Sequence, residues 1–268
     1  MPCDRSLAAA QTIPIRGDVD ANLAEHICLV RAAANEQARV LVFPELSLTG
    51  YELDLAAALA FSEDDPRLTP LVESAVCHQM TLIVGAPVRL DSRLYLGAFI
   101  LSPDGAVDIY TKHHLGAFPT SVSPDGIVPP PEKSVFHPGT RNPLVRFGDN
   151  AGAVAVCADS GRPSHAQAAA HRGANTYFAS AFIIPSDFEA DTARLQSYAA
   201  THSMAVVLAN FGGSSGGLPS AGGSAIWSEQ GELLVQLEDS GGGVAVAVET
   251  DSGWQAKAIM LEEPGELA

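Results

Sequence analysis

The chain has 268 residues, 47% apolar and 17% charged, long enough to bury roughly three quarters of its unfolded surface, which excludes a disulfide-stapled miniprotein and a disordered chain. Lys and Arg total 15 against 31 Asp and Glu, a formal charge of −16; such a surface repels polyanions and argues against nucleic-acid or anionic-membrane partners. Cys3, Cys28, Cys77 and Cys157 lack the close spacing of a zinc site, no apolar run nears the roughly 20 residues that span a bilayer, and MPCDRSLAAAQ turns polar too early for an export signal, so a soluble cytoplasmic protein with reduced thiols is expected.

Along the chain, Ser6 to Ile13 reads as a strand, Asn22 to Glu36 as a helix with Leu23, Ile27, Val30 and Ala34 inward, and Arg39 to Phe43 as a buried strand. Asp65 to Met80 repeats the helical spacing with Leu68, Leu71, Val72, Ala75 and Val76 inward, and Thr81 to Val88 is the next strand. Leu94 to Leu101 and Ala106 to Tyr110 flank Ser102-Pro-Asp-Gly105, which predicts a hairpin. From Lys112 to Gly139 a segment rich in Pro, Ser and Gly is long enough to cover a site. Ala151 to Val156, Thr176 to Phe182 and Met204 to Asn210 read as strands, separated by helices over Ser164 to Arg172 and Asp191 to Ser203. Short strands at Ser224 to Trp227, Leu233 to Leu237 and Gly243 to Val248 follow a Gly-rich turn region. No low-complexity linker divides the chain, so one α/β domain over residues 1–268 is expected, with a loose internal echo between its halves.

Three strand ends carry chemistry. Cys157 ends GAVAVC, where a buried strand meets a polar turn, the place where open α/β sheets build sites. Cys28 and Cys77 fall inside helices and read as packing residues. Glu45 follows VLVFP, and a carboxylate held there in an apolar pocket would have a raised pKa suited to proton exchange. Lys112, in IYTKHHL, would favour a thiolate and stabilise an oxyanion. Glu132 follows three prolines that stiffen its approach. Taken singly, each has a plainer reading: a small buried hydrophobe, a solvated turn acid, a surface charge and an exposed loop acid. The sequence Gly212 to Gly216 satisfies a serine-nucleophile pattern, but no helix can start in GLPSAGG and no His follows His202. His113 and His114, adjacent and expected to point apart on a strand, belong to no metal-ligand pattern, and no phosphate-binding glycine loop opens a helix, so no metal or cofactor is expected.

The segments VLVFPELSLTGYE, IYTKHHL and AVAVCAD, in that order, resemble the Glu, Lys and Cys signatures of the nitrilase superfamily of carbon-nitrogen hydrolases. The resemblance extends over nearly the whole chain, through PEKSVFHPG, GANTYFAS and VVLANFGG. It implies a four-layer αββα sandwich, paired into homodimers or larger assemblies, and makes Glu45 the general base, Lys112 the cation that stabilises the intermediate, Cys157 the nucleophile, Glu132 a second glutamate that positions Lys112, and the Ala158 N–H an oxyanion donor. The implied activity is cleavage of a small non-peptide amide through a Cys157 thioester. The same thioester would serve a nitrilase or an amine acyltransferase, and a non-catalytic scaffold is the rival from another class. After the cysteine, many relatives continue C-x-D-x-x-F-P-E; here Asp159 and Pro163 match, whereas Arg162 and Ser164 do not. The pocket beside the triad is therefore expected to differ, with Arg162 either a surface group or a carboxylate-binding one.

Overall fold

Alternation along the strands builds the layers. The computed structural model describes residues 5–261; Cys3 lies outside them. In β1 (Ser6–Gln11), Leu7 and Ala9 face a core shared with Val154, Val156, Phe178 and Val207, whereas Ala8 and Ala10 face Leu29, Val30 and Ala33 of α1 (Val19–Asn35). Strands buried on both faces explain the continuous apolar runs in the sequence.

The first sheet has the order β13 (Gly253–Met260), β12 (Gly243–Thr250), β1, β2 (Val40–Val42), β3 (Thr81–Leu90), β4 (Arg93–Leu101) and β5 (Val107–Thr111). The second has β11 (Leu233–Gln236), β10 (Ala225–Trp227), β9 (Ala205–Ala209), β8 (Thr176–Ser180), β7 (Asn150–Val156) and β6 (Leu144–Phe147). After α2 (Ala56–Leu59), α3 (Thr69–His78) joins α1 on the first sheet, and α4 (Pro163–His171) packs with α5 (Phe188–His202) on the second. The result is the expected αββα sandwich. In both sheets three central strands run parallel, β1-β2-β3 and β7-β8-β9, and their outer neighbours pair antiparallel. This is the structural form of the echo between the halves.

The hairpin at Ser102–Gly105 forms as expected, with Gly105 at φ +84 and its N–H bonded to the Ser102 carbonyl. Strands β6 and β13 and the single turn of α2 escape the sequence patterns because they are short or lie at sheet edges, where one face is open. No helix among the described residues is long and apolar enough to cross a membrane.

Three expectations need correction. The buried stripe of α1 is Val19, Asn22, His26, Leu29, Val30 and Ala33, so Leu23 and Ile27 are only partly covered. On α3, Leu71 and Ala75 are buried but Val76 is exposed. Cys28 and Cys77 are exposed and are not packing residues. In α1 the cause is polar: Asn22 and His26 are turned inward because they hydrogen-bond the segment that carries Glu45.

Candidate active site

Glu45 lies three residues beyond the end of β2, in a segment fastened on two sides. His26 stacks on Phe43, with ring centroids 4.2 Å apart, and its ring nitrogens lie 2.6 Å from the Asn22 carbonyl and 2.9 Å from Ser47 Oγ. The carbonyl can only accept, so Nδ1 carries the proton and Nε2 accepts from the Ser47 hydroxyl. Burial lowers the pKa of His26 to about 4, against the pull of its bond to Asn22, and the ring stays neutral. On the other side, Leu48 N–H donates to the Gly85 carbonyl. A side chain at Gly85 would approach the Leu46 nitrogen and the Pro44 oxygen to 2.4 Å, so only glycine lets β3 pass beneath the turn. The turn itself places Leu46 at φ +53.

Lys112 follows β5 directly. Its backbone N–H donates to the Leu96 carbonyl, and its own carbonyl accepts from Gly139. Its Nζ lies 2.6 Å from Glu45 Oε1 and 2.7 Å from Glu132 Oε1, and the Lys112 residue is 1% exposed. The 3-10 turn Glu132–Ser134 presents Glu132. Gly116 N–H donates to Glu132 Oε2 at 2.7 Å while Glu132 N–H donates to the Gly116 carbonyl, so the long covering segment is pinned to the acid it covers. Tyr51 completes the set, its hydroxyl donating to Glu132 Oε1 at 2.7 Å. The Tyr51 ring packs against Phe118 and Phe182 at centroid distances of 5.7 and 5.2 Å.

Cys157 opens a 3-10 turn at the end of β7 with φ +43, a conformation that costs a non-glycine residue of order 1–3 kcal/mol. The turn is held by the Ser160 N–H and hydroxyl, both donating to the Cys157 carbonyl. Cys157 is half-buried, and its Sγ lies 3.8 Å from the Phe182 carbonyl. The parallel register pairs Val156 with Ser180, which brings Phe182, two residues further on, beside the cysteine.

Two carboxylates, one ammonium and one thiol thus share a buried volume. Burial pushes the Glu45 carboxyl up to about 7; Lys112 opposes the rise and Glu132 adds to it. Glu45 Oε2 is buried and has no partner among the described residues. Burial would pull the pKa of Lys112 down, but Glu45, Cys157 and Glu132 together hold it above its ordinary value. The Cys157 thiol is pushed well up by burial and by Glu45, with Lys112 opposing. The resting state is therefore a neutral thiol beside a carboxyl that exchanges its proton near neutrality.

The fold brings Glu45, Lys112, Glu132 and Cys157 together, with half-buried Ala158 next in the same turn. Arg162 is exposed at the start of α4. His113 and His114 lie just beyond β5; both backbone N–H groups donate to the Asp159 carboxylate, the His114 ring also reaches it, and the His113 ring stacks on Tyr110. The Gly212 to Gly216 segment starts no helix, and Ser215 Oγ accepts from the Tyr51 N–H. Residue-by-residue reasoning passed over Tyr51, Phe118, Phe182 and Tyr110. Tyr51 and Tyr110 stood inside the quoted motifs LSLTGYE and IYTKHHL, whereas Phe118 and Phe182 carried no local signal.

A family model described as Carbon-nitrogen hydrolase matches residues 6–255. Over 105 residues the chain is 32% identical to the glutamine-dependent NAD(+) synthetase of Mycobacterium tuberculosis, covering 38% of this chain and 15% of that protein. Over 156 residues it is 28% identical to the glutamine-dependent NAD(+) synthetase of Thermotoga maritima, covering 58% of this chain and 25% of that protein. The matched regions are thus a quarter or less of these curated relatives. A solved mutant of the amidase from Nesterenkonia sp. AN1, showing covalent addition of the acetamide moiety of fluoroacetamide at its active site cysteine, is 24% identical with a TM-score of 0.80, covering 94% of this chain and 92% of that one. Another mutant of that amidase, in complex with butyramide, has a TM-score of 0.79 at 23% identity, covering 94% of this chain and 92% of that one.

Proposed function

The chain belongs to the carbon-nitrogen hydrolase family of the nitrilase superfamily, and from that premise we propose that it is an amidase that cleaves a small, uncharged, non-peptide amide through a Cys157 thioester. The observation that carries this reading is the convergence of Glu45, Lys112 and Glu132 on a half-buried thiol. Glu45 takes the thiol proton as Sγ attacks the amide carbonyl, and Lys112 with the Ala158 N–H stabilises the oxyanion. When the tetrahedral intermediate collapses, the C–N bond breaks, Glu45 returns its proton to the leaving nitrogen, and ammonia or an amine departs. The same carboxylate then takes a proton from water, whose oxygen attacks the thioester, and the acid leaves as the thiol is restored. Glu132 holds the Lys112 ammonium between two acids, and Tyr51 holds Glu132.

The aromatic cluster of Tyr51, Phe118 and Phe182, with Tyr51 bonded to Glu132, supports a short apolar acyl group. We further propose that the enzyme works without a cofactor and in the cytoplasm and, as the resemblance implies, as a homodimer or larger homo-oligomer. The test is ammonia release across a panel of aliphatic amides, nitriles and glutamine, with and without an amine acceptor, together with mass spectrometry of the Cys157 peptide. Ammonia from the amides and an acyl mass on Cys157 are expected. Binding with neither signal would point to a scaffold, and product formation only with an acceptor would point to acyl transfer.

A further inference from the structure

Beside the catalytic cluster lies a third buried carboxylate, Asp159, that takes no part in the chemistry above. It is 0% exposed and accepts from both sides of the site. The Tyr110 hydroxyl donates at 2.7 Å, and the His114 N–H and ring Nδ1 each lie at 2.8 Å. The His113 N–H donates at 3.3 Å and the Val156 N–H at 3.4 Å. Tyr110, His113 and His114 bracket Lys112 in the chain, and Val156 precedes Cys157. One carboxylate therefore joins the strand end that carries the ammonium to the turn that carries the thiol.

The bonds behind it run in one direction. Tyr110 donates to Asp159, so its oxygen is left to accept from His165 Nε2, 3.1 Å away. His165 then carries its proton on Nε2, and its Nδ1 accepts from the Tyr177 hydroxyl at 2.9 Å. Donation passes from Tyr177 on β8 through His165 on α4 to Tyr110 on β5, and ends at Asp159. A neutral His165 satisfies this chain, and a protonated one would break its Nδ1 bond.

We infer that Asp159 is a positioning residue for the proposed reaction: held by the Tyr177–His165–Tyr110 chain, it fixes Cys157 in its left-handed turn at the right distance from Lys112. The inference rests on the amidase reading for its turnover assay but not for its second assay, the rate at which iodoacetamide alkylates Cys157, followed by peptide mapping. Asp159→Asn keeps the side-chain shape but turns an amide toward a ring of donors. We expect kcat per alkylatable Cys157 to fall roughly 100-fold with little change in KM, the scale of a misplaced catalytic group. Alkylation gives an independent sign. Removing a nearby negative charge by itself would favour the thiolate and speed labelling, so slower labelling reports lost geometry.

Tyr110→Phe, which removes one hydroxyl, serves if Asp159→Asn does not fold, and is expected to lower kcat about 10-fold, the effect of losing one charged hydrogen bond. His165→Gln presents one donor and one acceptor as the neutral imidazole does, and is expected to keep kcat within about 3-fold, whereas His165→Leu, with neither, falls with Tyr110→Phe. Unchanged kcat and labelling in folded Asp159→Asn and Tyr110→Phe would overturn the inference, as would faster labelling in both. If the native enzyme releases no ammonia from any amide, the amidase reading fails while the labelling rates still decide the role of Asp159.

Discussion

Glu45 and Asp159 are both fully buried carboxylates placed just beyond the ends of buried strands, yet their affinities for protons are displaced in opposite directions. Burial favours the neutral form of each. At Glu45 it prevails: Lys112 and Cys157 oppose the rise, but Glu132 stands nearby as a second acid and adds to it. At Asp159 the bonds from Tyr110 and His114 outweigh burial and hold the carboxyl below its usual range. Donor count and neighbouring charge, rather than depth, decide whether a buried acid exchanges protons or remains a fixed anion.

The sharpest ways to break this comparison act on the exchanging side. Cys157→Ala is expected to lower kcat by about 10⁴-fold or more, measured as ammonia release, while the circular dichroism spectrum stays native. Lys112→Met leaves two carboxylates buried without their cation, which is expected to destabilise the fold by roughly 3–5 kcal/mol, measured by denaturant titration, and to abolish turnover. An unshifted midpoint would show that the two acids are not charged together in the native protein.

Proton linkage separates the two carboxylates directly. Glu45 has a raised native pKa, so its contribution to stability is full below its ordinary value of 4.5 and is lost as pH rises through about 7. Asp159 has a lowered one, so its contribution is present above its ordinary 3.8 and is lost as pH falls below that value. Glu45→Gln is expected to flatten the neutral side of the stability–pH curve and Asp159→Asn the acid side, read from unfolding free energies across pH. In the native enzyme kcat/KM is expected to rise with pH along a limb centred near 7, as Glu45 loses its proton. A limb confined below pH 5 would contradict the assignment of Glu45 as base.

Smaller effects refine the picture. Tyr51→Phe removes one donor from Glu132 and is expected to cost about 1 kcal/mol of stability and a few-fold in kcat. Replacing Cys28 and Cys77 together by Ser is expected to change stability by no more than about 0.5 kcal/mol, because both are exposed, and to leave Cys157 labelling untouched.

The layered α/β architecture was legible because buried strands and covering helices impose different periods on the same chain. The strand ends bearing Glu45, Lys112 and Cys157 were legible too, since an apolar run that stops at a polar turn marks where a side chain emerges. The inward face of α1 was not. Apolar spacing favoured Leu23 and Ile27, but the fold buries Asn22 and His26, whose hydrogen bonds to Leu48 and Ser47 hold the Glu45 segment. A buried polar residue is stable only when its partner is present, and that partner lies more than 20 positions away.

The order of apolar runs, breakers and three reactive residues was determined by the sequence alone, because these are local consequences of side-chain size and backbone freedom. Which charges would neutralise one another was decided only when the sheets packed. Glu45 meets Lys112 across 67 positions of chain, Tyr110 meets Asp159 across 49, and the pKa of each group follows from the neighbours and the lost water that packing supplies. Ionisation is a property of an environment, and the environment of this site exists only in the folded chain.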